Sequence, residues 1–266
     1  MNCPRENVGL LQSFIHLMND METRNEIMAY HMRQSTTPCR WWGTWFVRVS
    51  GNHSLTLTDM DPVWKYKPTS LQDLVRHLDK KKRPASTLCM FTVCLQYDAY
   101  SVHYVSFVYK DRTLLSFDPG VQVYPHGQKT IVPRIQKLME SLQMIDTHRV
   151  EGACTAFCFR QKKHGVQFNG RVHQKLPADA FCQSWTVFFL VRLLSLTDAS
   201  IESMSVLVQR WCSIPPGKRE YFIMTMFILP TLTYFPKVMK KLGGKEVMEA
   251  LLAPVEQCFF SSPPPR

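Results

Sequence analysis

The chain has 266 residues, 45% hydrophobic and 20% charged, which excludes a disordered polymer and leaves room for a large core. Net charge is +11, from 32 Lys and Arg against 21 Asp and Glu, an excess that suits a polyanionic partner such as nucleic acid or simply keeps the protein in solution. The nine cysteines include no Cys-x-x-Cys pair, and Cys154 and Cys158 have no second ligand pair, so the spacing predicts no zinc site, calls for no cofactor and fits a reducing compartment.

In chain order, Met1-Asn2-Cys3-Pro4-Arg5-Glu6 lacks the apolar centre of a signal peptide. Over residues 8–34, Val8, Leu11, Ile15, Met18 and Met21 recur at helical steps, and Ser35-Thr36-Thr37-Pro38 ends the helix. Residues 41–49, with Trp41, Trp42 and Trp45 around Gly43, read as a strand, and 54–58 alternates in the same way. The tryptophans suit either a substrate wall or a core. Leu71, Leu74, Val75 and Leu78 predict a short helix. It runs into the basic cluster Lys80, Lys81, Lys82 and Arg83, which is a solvated loop, a phosphate contact or a nuclear address.

Residues 88–97, 102–109 and 112–117 predict an antiparallel meander, its last two strands joined by Lys110-Asp111. A helix over 130–144 and a strand over 154–159 follow. From Ala180 no Pro or Gly appears until Pro215, so a buried helix is expected there, with others over 200–212, 218–241 and 245–258. The uncharged stretch from Tyr221 to Pro236 is shorter than the ~20 residues a membrane span needs and contains Pro230, which favours a buried helix pair over a span. The order helix, strands, helices predicts an α+β fold: a mostly antiparallel sheet packed on the buried helix. The expected division is a helical and strand extension over 1–84, a core over 85–198, a helical extension over 199–260 and a frayed tail over 261–266.

Pro177 punctuates the approach to that buried helix, and Asp179 is placed to cap it. Cys182 then falls in the first turn, where unpaired N–H groups and the positive dipole end favour a thiolate. A lone Cys there is equally a small buried hydrophobe. A base and an orienting acid shift the balance. His103 lies in the middle strand of the meander on the face of Val105, Phe107 and Tyr109, and Asp118 ends the next strand before Pro119-Gly120. If those strands pair, the carboxylate can hold one imidazole nitrogen and leave the other for the Cys182 thiol. Gln174 offers a side-chain N–H that, with the backbone N–H of Cys182, could hold an oxyanion.

The segments His103-Tyr104-Val105-Ser106-Phe107-Val108, Leu115-Ser116-Phe117-Asp118-Pro119-Gly120 and Asp179-Ala180-Phe181-Cys182-Gln183-Ser184-Trp185 resemble those of the adenain-like and SUMO-protease-like cysteine peptidases, above all members from large DNA viruses. The resemblance spans about residues 88–195. It implies Cys182 as nucleophile, His103 as general base and then acid, Asp118 as orienting carboxylate and Gln174 as oxyanion donor. Gln183 stands where Gly often follows the nucleophile, Tyr104 where Trp often follows the histidine, and the step from Gln174 to Cys182 is slightly long. Gln167, Gln183 or His173 are alternatives for the oxyanion donor, and His126 for the base. The resemblance implies a thiol peptidase acting on viral precursor proteins or ubiquitin-like modifier tails, in host cytoplasm, nucleus or virion, with DNA as a possible further partner. The competing expectations are an inactive scaffold that keeps the peptidase fold and a basic nucleic-acid-binding protein. The peptidase reading requires the three side chains to converge where the sheet meets the mouth of the helix, with the sulfur open to solvent.

Overall fold

The computed structural model describes residues 20–50, 54–60, 68–80, 87–96, 102–110, 113–119, 156–159, 182–196, 201–214, 222–235 and 240. The expected helices over 130–144 and 245–258, the cap Asp179, the tail over 261–266, and Lys81, Lys82 and Arg83 lie outside these residues. Helix α1 (Met21–Gln34) is followed by β1 (Cys39–Val49), β2 (Leu55–Met60), α2 (Leu71–Lys80), β3 (Leu88–Gln96), β4 (Val102–Lys110), β5 (Thr113–Phe117), β6 (Ala156–Phe159), α3 (Cys182–Leu194) and α4 (Ile201–Ser213). A π-helical turn, Met224–Ile228, leads into α5 (Leu229–Tyr234). The fold class is α+β, as the element order implies.

The strands form one six-stranded sheet in the order β2-β1-β3-β4-β5-β6. Pairings β1–β2, β3–β4 and β4–β5 are antiparallel, whereas β1–β3 and β5–β6 are parallel. The meander is therefore present as expected, and β1 enters the middle of the sheet beside β3. A parallel neighbour needs a crossover, which β2 and α2 supply.

β1 is irregular where Gly43 sits. Its register against β3 shifts between Trp41 and Thr44, and Gly43 has φ 76°, a left-handed value open to a residue without Cβ. The bulge resets the alternation, so Trp42 and Trp45 reach the same face although three positions apart. There Trp45 stacks on Phe91 at 4.0 Å between ring centroids and Trp42 on the same ring at 5.7 Å. These two tryptophans are core, not a substrate wall.

The two faces of the sheet bury separate clusters. Trp42, Trp45, Phe91, Val93, Leu95, Val105 and Phe107 pack with Leu71 and Leu74 of α2. On the opposite face Met90, Val108, Leu115 and Phe117 pack with Ile27 and Met28 of α1, the apolar length of α3, and Trp211 of α4. In α3 every residue except Arg192 is buried, as a helix apolar on all sides requires. α1 starts at a capped end, with Asp20 accepting from the Thr23 backbone N–H and from its hydroxyl at 2.6 Å. Trp41 Nε1 donates to Asn25 Oδ1 at 2.7 Å and ties α1 to β1.

Pro230 lies in the first turn of α5, directly after the π-helical turn. A proline cannot donate back to the preceding turn, and a wider turn relieves that mismatch without ending the helix. Among the described residues no helix is long and apolar enough to cross a membrane.

Candidate active site

Pairing of β4 with β5 fixes the first two site residues. Ser106 opposes Phe117 and Phe107 opposes Ser116, so the start of β4 and the residue just past β5 lie at the same end of the sheet. His103 is the second residue of β4 and Asp118 the first after β5. His103 Nε2 and Asp118 Oδ1 are 2.8 Å apart, the N–H donating to the carboxylate. The imidazole is 3% exposed and the carboxylate 12%.

The third residue arrives from the helix layer. Cys182 opens α3 and packs on Cys94 of β3 and Tyr104 of β4, with Phe46 of β1 against them. Cys94 and Tyr104 oppose one another in the sheet, and Leu95 opposes His103. Tyr104 thus faces α3 while His103 alternates to the other face. The two sides meet at the end of the sheet, where the Cys182 sulfur is close enough to the His103 ring to favour its cationic form. With Nε2 held by Asp118, Nδ1 is the nitrogen left for the sulfur. Three side chains remote in sequence, His103, Asp118 and Cys182, are brought together.

One expectation is overturned. The peptidase reading calls for a sulfur open to solvent, yet Cys182 is only 6% exposed. The cause is its seat on Cys94 and Tyr104, both nearly fully buried. Gln174 lies outside the described residues, as do the alternatives Gln167, His173 and His126. Gln183 is described and 2% exposed, with its backbone carbonyl accepting from the Thr186 hydroxyl at 2.7 Å. Lys80 closes α2.

Electrostatics act on the His103 imidazole and on the Cys94 thiol. Burial alone would push the His103 imidazole down, but the Asp118 carboxylate and the Cys182 sulfur outweigh it and raise the group to about 10. Burial pushes the Cys94 thiol up to about 11; the Tyr104 hydroxyl bonded to its sulfur works against the rise, Cys182 adds to it and Arg24 opposes it. Tyr104 is held protonated chiefly by burial. Among the described residues no three His, Cys, Asp or Glu side chains are grouped to hold a metal ion.

No family model matches the chain, and no curated protein matches it. Among solved structures it is similar to the Legionella pneumophila effector protein RavZ, at a TM-score of 0.26 and 14% identity, over 68% of this chain and 48% of that one. The chain thus spans about half the length of that protein.

Sequence reasoning missed Arg24, Cys94 and Tyr104 as surroundings of the sulfur. Arg24 is fully buried, with its guanidinium carbon 5.9 Å from the centroid of the Tyr104 ring. A signal was present: Arg24, Ile27 and Met28 fall at i, i+3 and i+4, which places a cation in the buried stripe of α1. Cys94 and Tyr104 share the alternation of their strands with the core and carry no separate mark.

Proposed function

We propose that the chain is a cysteine peptidase in which Cys182 is the nucleophile, His103 the general base and then acid, and Asp118 the carboxylate that orients the imidazole. The observation that carries this reading is the 2.8 Å bond between His103 and Asp118, with the Cys182 sulfur close enough to the same ring to favour its cation. A carboxylate on one nitrogen fixes the tautomer and stabilises the imidazolium, so the proton of the thiol has a place to go. The thiolate then adds to an amide carbonyl. His103 protonates the departing amine, and the thioester is hydrolysed by water that the same imidazole deprotonates. The backbone N–H of Cys182 in the first turn of α3 suits the oxyanion. Gln174 as a second donor, and precursor proteins or modifier tails as substrates, rest on the motif resemblance alone.

Burial of Cys182 favours a second reading, a scaffold that keeps the triad without turning over. A peptide electrophile that acylates or alkylates thiols separates the two. The peptidase reading expects a covalent adduct on the Cys182 peptide by mass spectrometry, absent from Cys182→Ala and strongly reduced in His103→Gln. Labelling unchanged in Cys182→Ala overturns it. An inert Cys182 in the folded wild-type protein favours the scaffold.

A further inference from the structure

Arg24 is the described charged side chain most deeply enclosed in the molecule, at 0% exposure. It belongs to α1, far in sequence from His103, Asp118 and Cys182, and the proposed chemistry does not use it. Enclosing a guanidinium is expensive, so its place beside the site calls for an account of what the charge does there.

Its location is specific. The guanidinium lies over the Tyr104 ring, and Tyr104 packs in one small cluster with Cys182 and Cys94. The charge already registers on this cluster, where it opposes the burial-driven rise of both Cys94 and Tyr104. From β3 Cys182 meets Cys94, from β4 Tyr104 and His103, and from beyond β5 Asp118 acts through His103, while α1 brings the guanidinium of Arg24 over the Tyr104 ring. Once the thiol proton has moved to the imidazole, the charges run Arg24 positive, Cys182 negative, His103 positive and Asp118 negative.

We infer that Arg24 is a positioning residue of the site, a fixed cation over Tyr104 that stabilises the negative charge on the Cys182 sulfur. The inference rests on Cys182 being the nucleophile, but on nothing about the substrate. At an effective dielectric of ~20, a unit charge acting on the sulfur from the neighbouring cluster changes a rate by on the order of tenfold. Burial of both partners keeps salt from screening it.

The test compares Arg24→Met, which keeps the apolar stem and loses the charge, with Arg24→Lys, which keeps the charge and loses the planar fork. The reading is the second-order rate of Cys182 alkylation by iodoacetamide at neutral pH in the intact chain, mapped by mass spectrometry, with thermal melting measured in parallel. The inference expects Arg24→Met, while still folded at the assay temperature, to react about tenfold more slowly at Cys182, and Arg24→Lys to recover most of the rate. An Arg24→Met protein that reacts at the wild-type rate overturns it. So does a loss of rate that tracks a loss of melting temperature and is not recovered by Arg24→Lys, which marks a purely structural side chain. In both overturning outcomes wild-type Cys182 still reacts and the peptidase reading stands. A wild-type Cys182 inert to iodoacetamide sinks the nucleophile assignment and this inference with it.

Discussion

His103 Nε2 donates to Asp118 Oδ1 across 2.8 Å at the end of the sheet, and neither residue is more than slightly exposed. Burial favours the neutral imidazole, while Asp118 and Cys182 together favour the cation and win, raising the group from its ordinary 6.5 to about 10. A folded-state value above the unfolded one means that the folded protein holds the proton more tightly. The resulting stability is complete below about pH 6.5 and is lost as pH rises through about 10. Melting temperature measured from pH 6.5 to 10 should fall more steeply for the wild type than for Asp118→Asn, whose amide cannot hold the cation. Parallel slopes in the two proteins would remove the pair as a source of pH-linked stability.

The same imidazole carries the chemistry in the peptidase reading. General acid and base catalysis contributes about 10²–10⁴-fold. His103→Gln should therefore slow peptide hydrolysis by at least about 10²-fold, and single-turnover acylation should show the loss in the first chemical step. A variant within a few-fold of the wild type would move the base elsewhere, and His126 would be the next residue to test.

Much of this site is written in local patterns. Alternation in residues 88–117 marks three strands, and short connections make them neighbours, so the meeting of His103 and Asp118 follows from two adjacent strands alone. The apolar run after Cys182 marks a helix buried on all sides, and α3 is that helix. What was not legible depends on distant packing. The place of β1 beside β3 comes from a crossover through β2 and α2, which no local period encodes. The cover over the sulfur is built from β1, β3 and β4 at once, and Arg24 reaches it from a helix whose outward reading was merely amphipathic. The bulge at Gly43 decides which tryptophans share a face, and a glycine in a strand signals only that some irregularity is present.

Cys94 is the control thiol of the site. It packs in the same cluster as Cys182, and burial pushes its thiol up to about 11. It stays a protonated thiol near neutral pH. Cys94→Ala should leave Cys182 labelling within a few-fold of the wild type and lower stability by about 1 kcal/mol through lost packing and the lost bond from Tyr104. Chemical denaturation and peptide mapping check the two halves. A Cys94→Ala protein that loses all labelling would exchange the roles assigned to the two cysteines.

Access is the remaining physical problem, because a nucleophile only 6% exposed must still meet a carbonyl. Cys94, Tyr104 and Phe46 all lie in paired strands, but Cys94 and Tyr104 are nearly fully buried whereas the Phe46 side chain is only partly buried. Phe46 is thus the part of the cover with least to lose by moving. Alkylation of Cys182 in the folded protein should slow as the reagent grows, from iodoacetamide to N-ethylmaleimide to a bulky biotin maleimide. Phe46→Ala should narrow that spread several-fold by speeding the largest reagent most. A size dependence unchanged by Phe46→Ala would place the barrier at Tyr104 and Cys94, and reaching the sulfur would then require local unfolding of the sheet end, for which labelling should rise in step with mild denaturant.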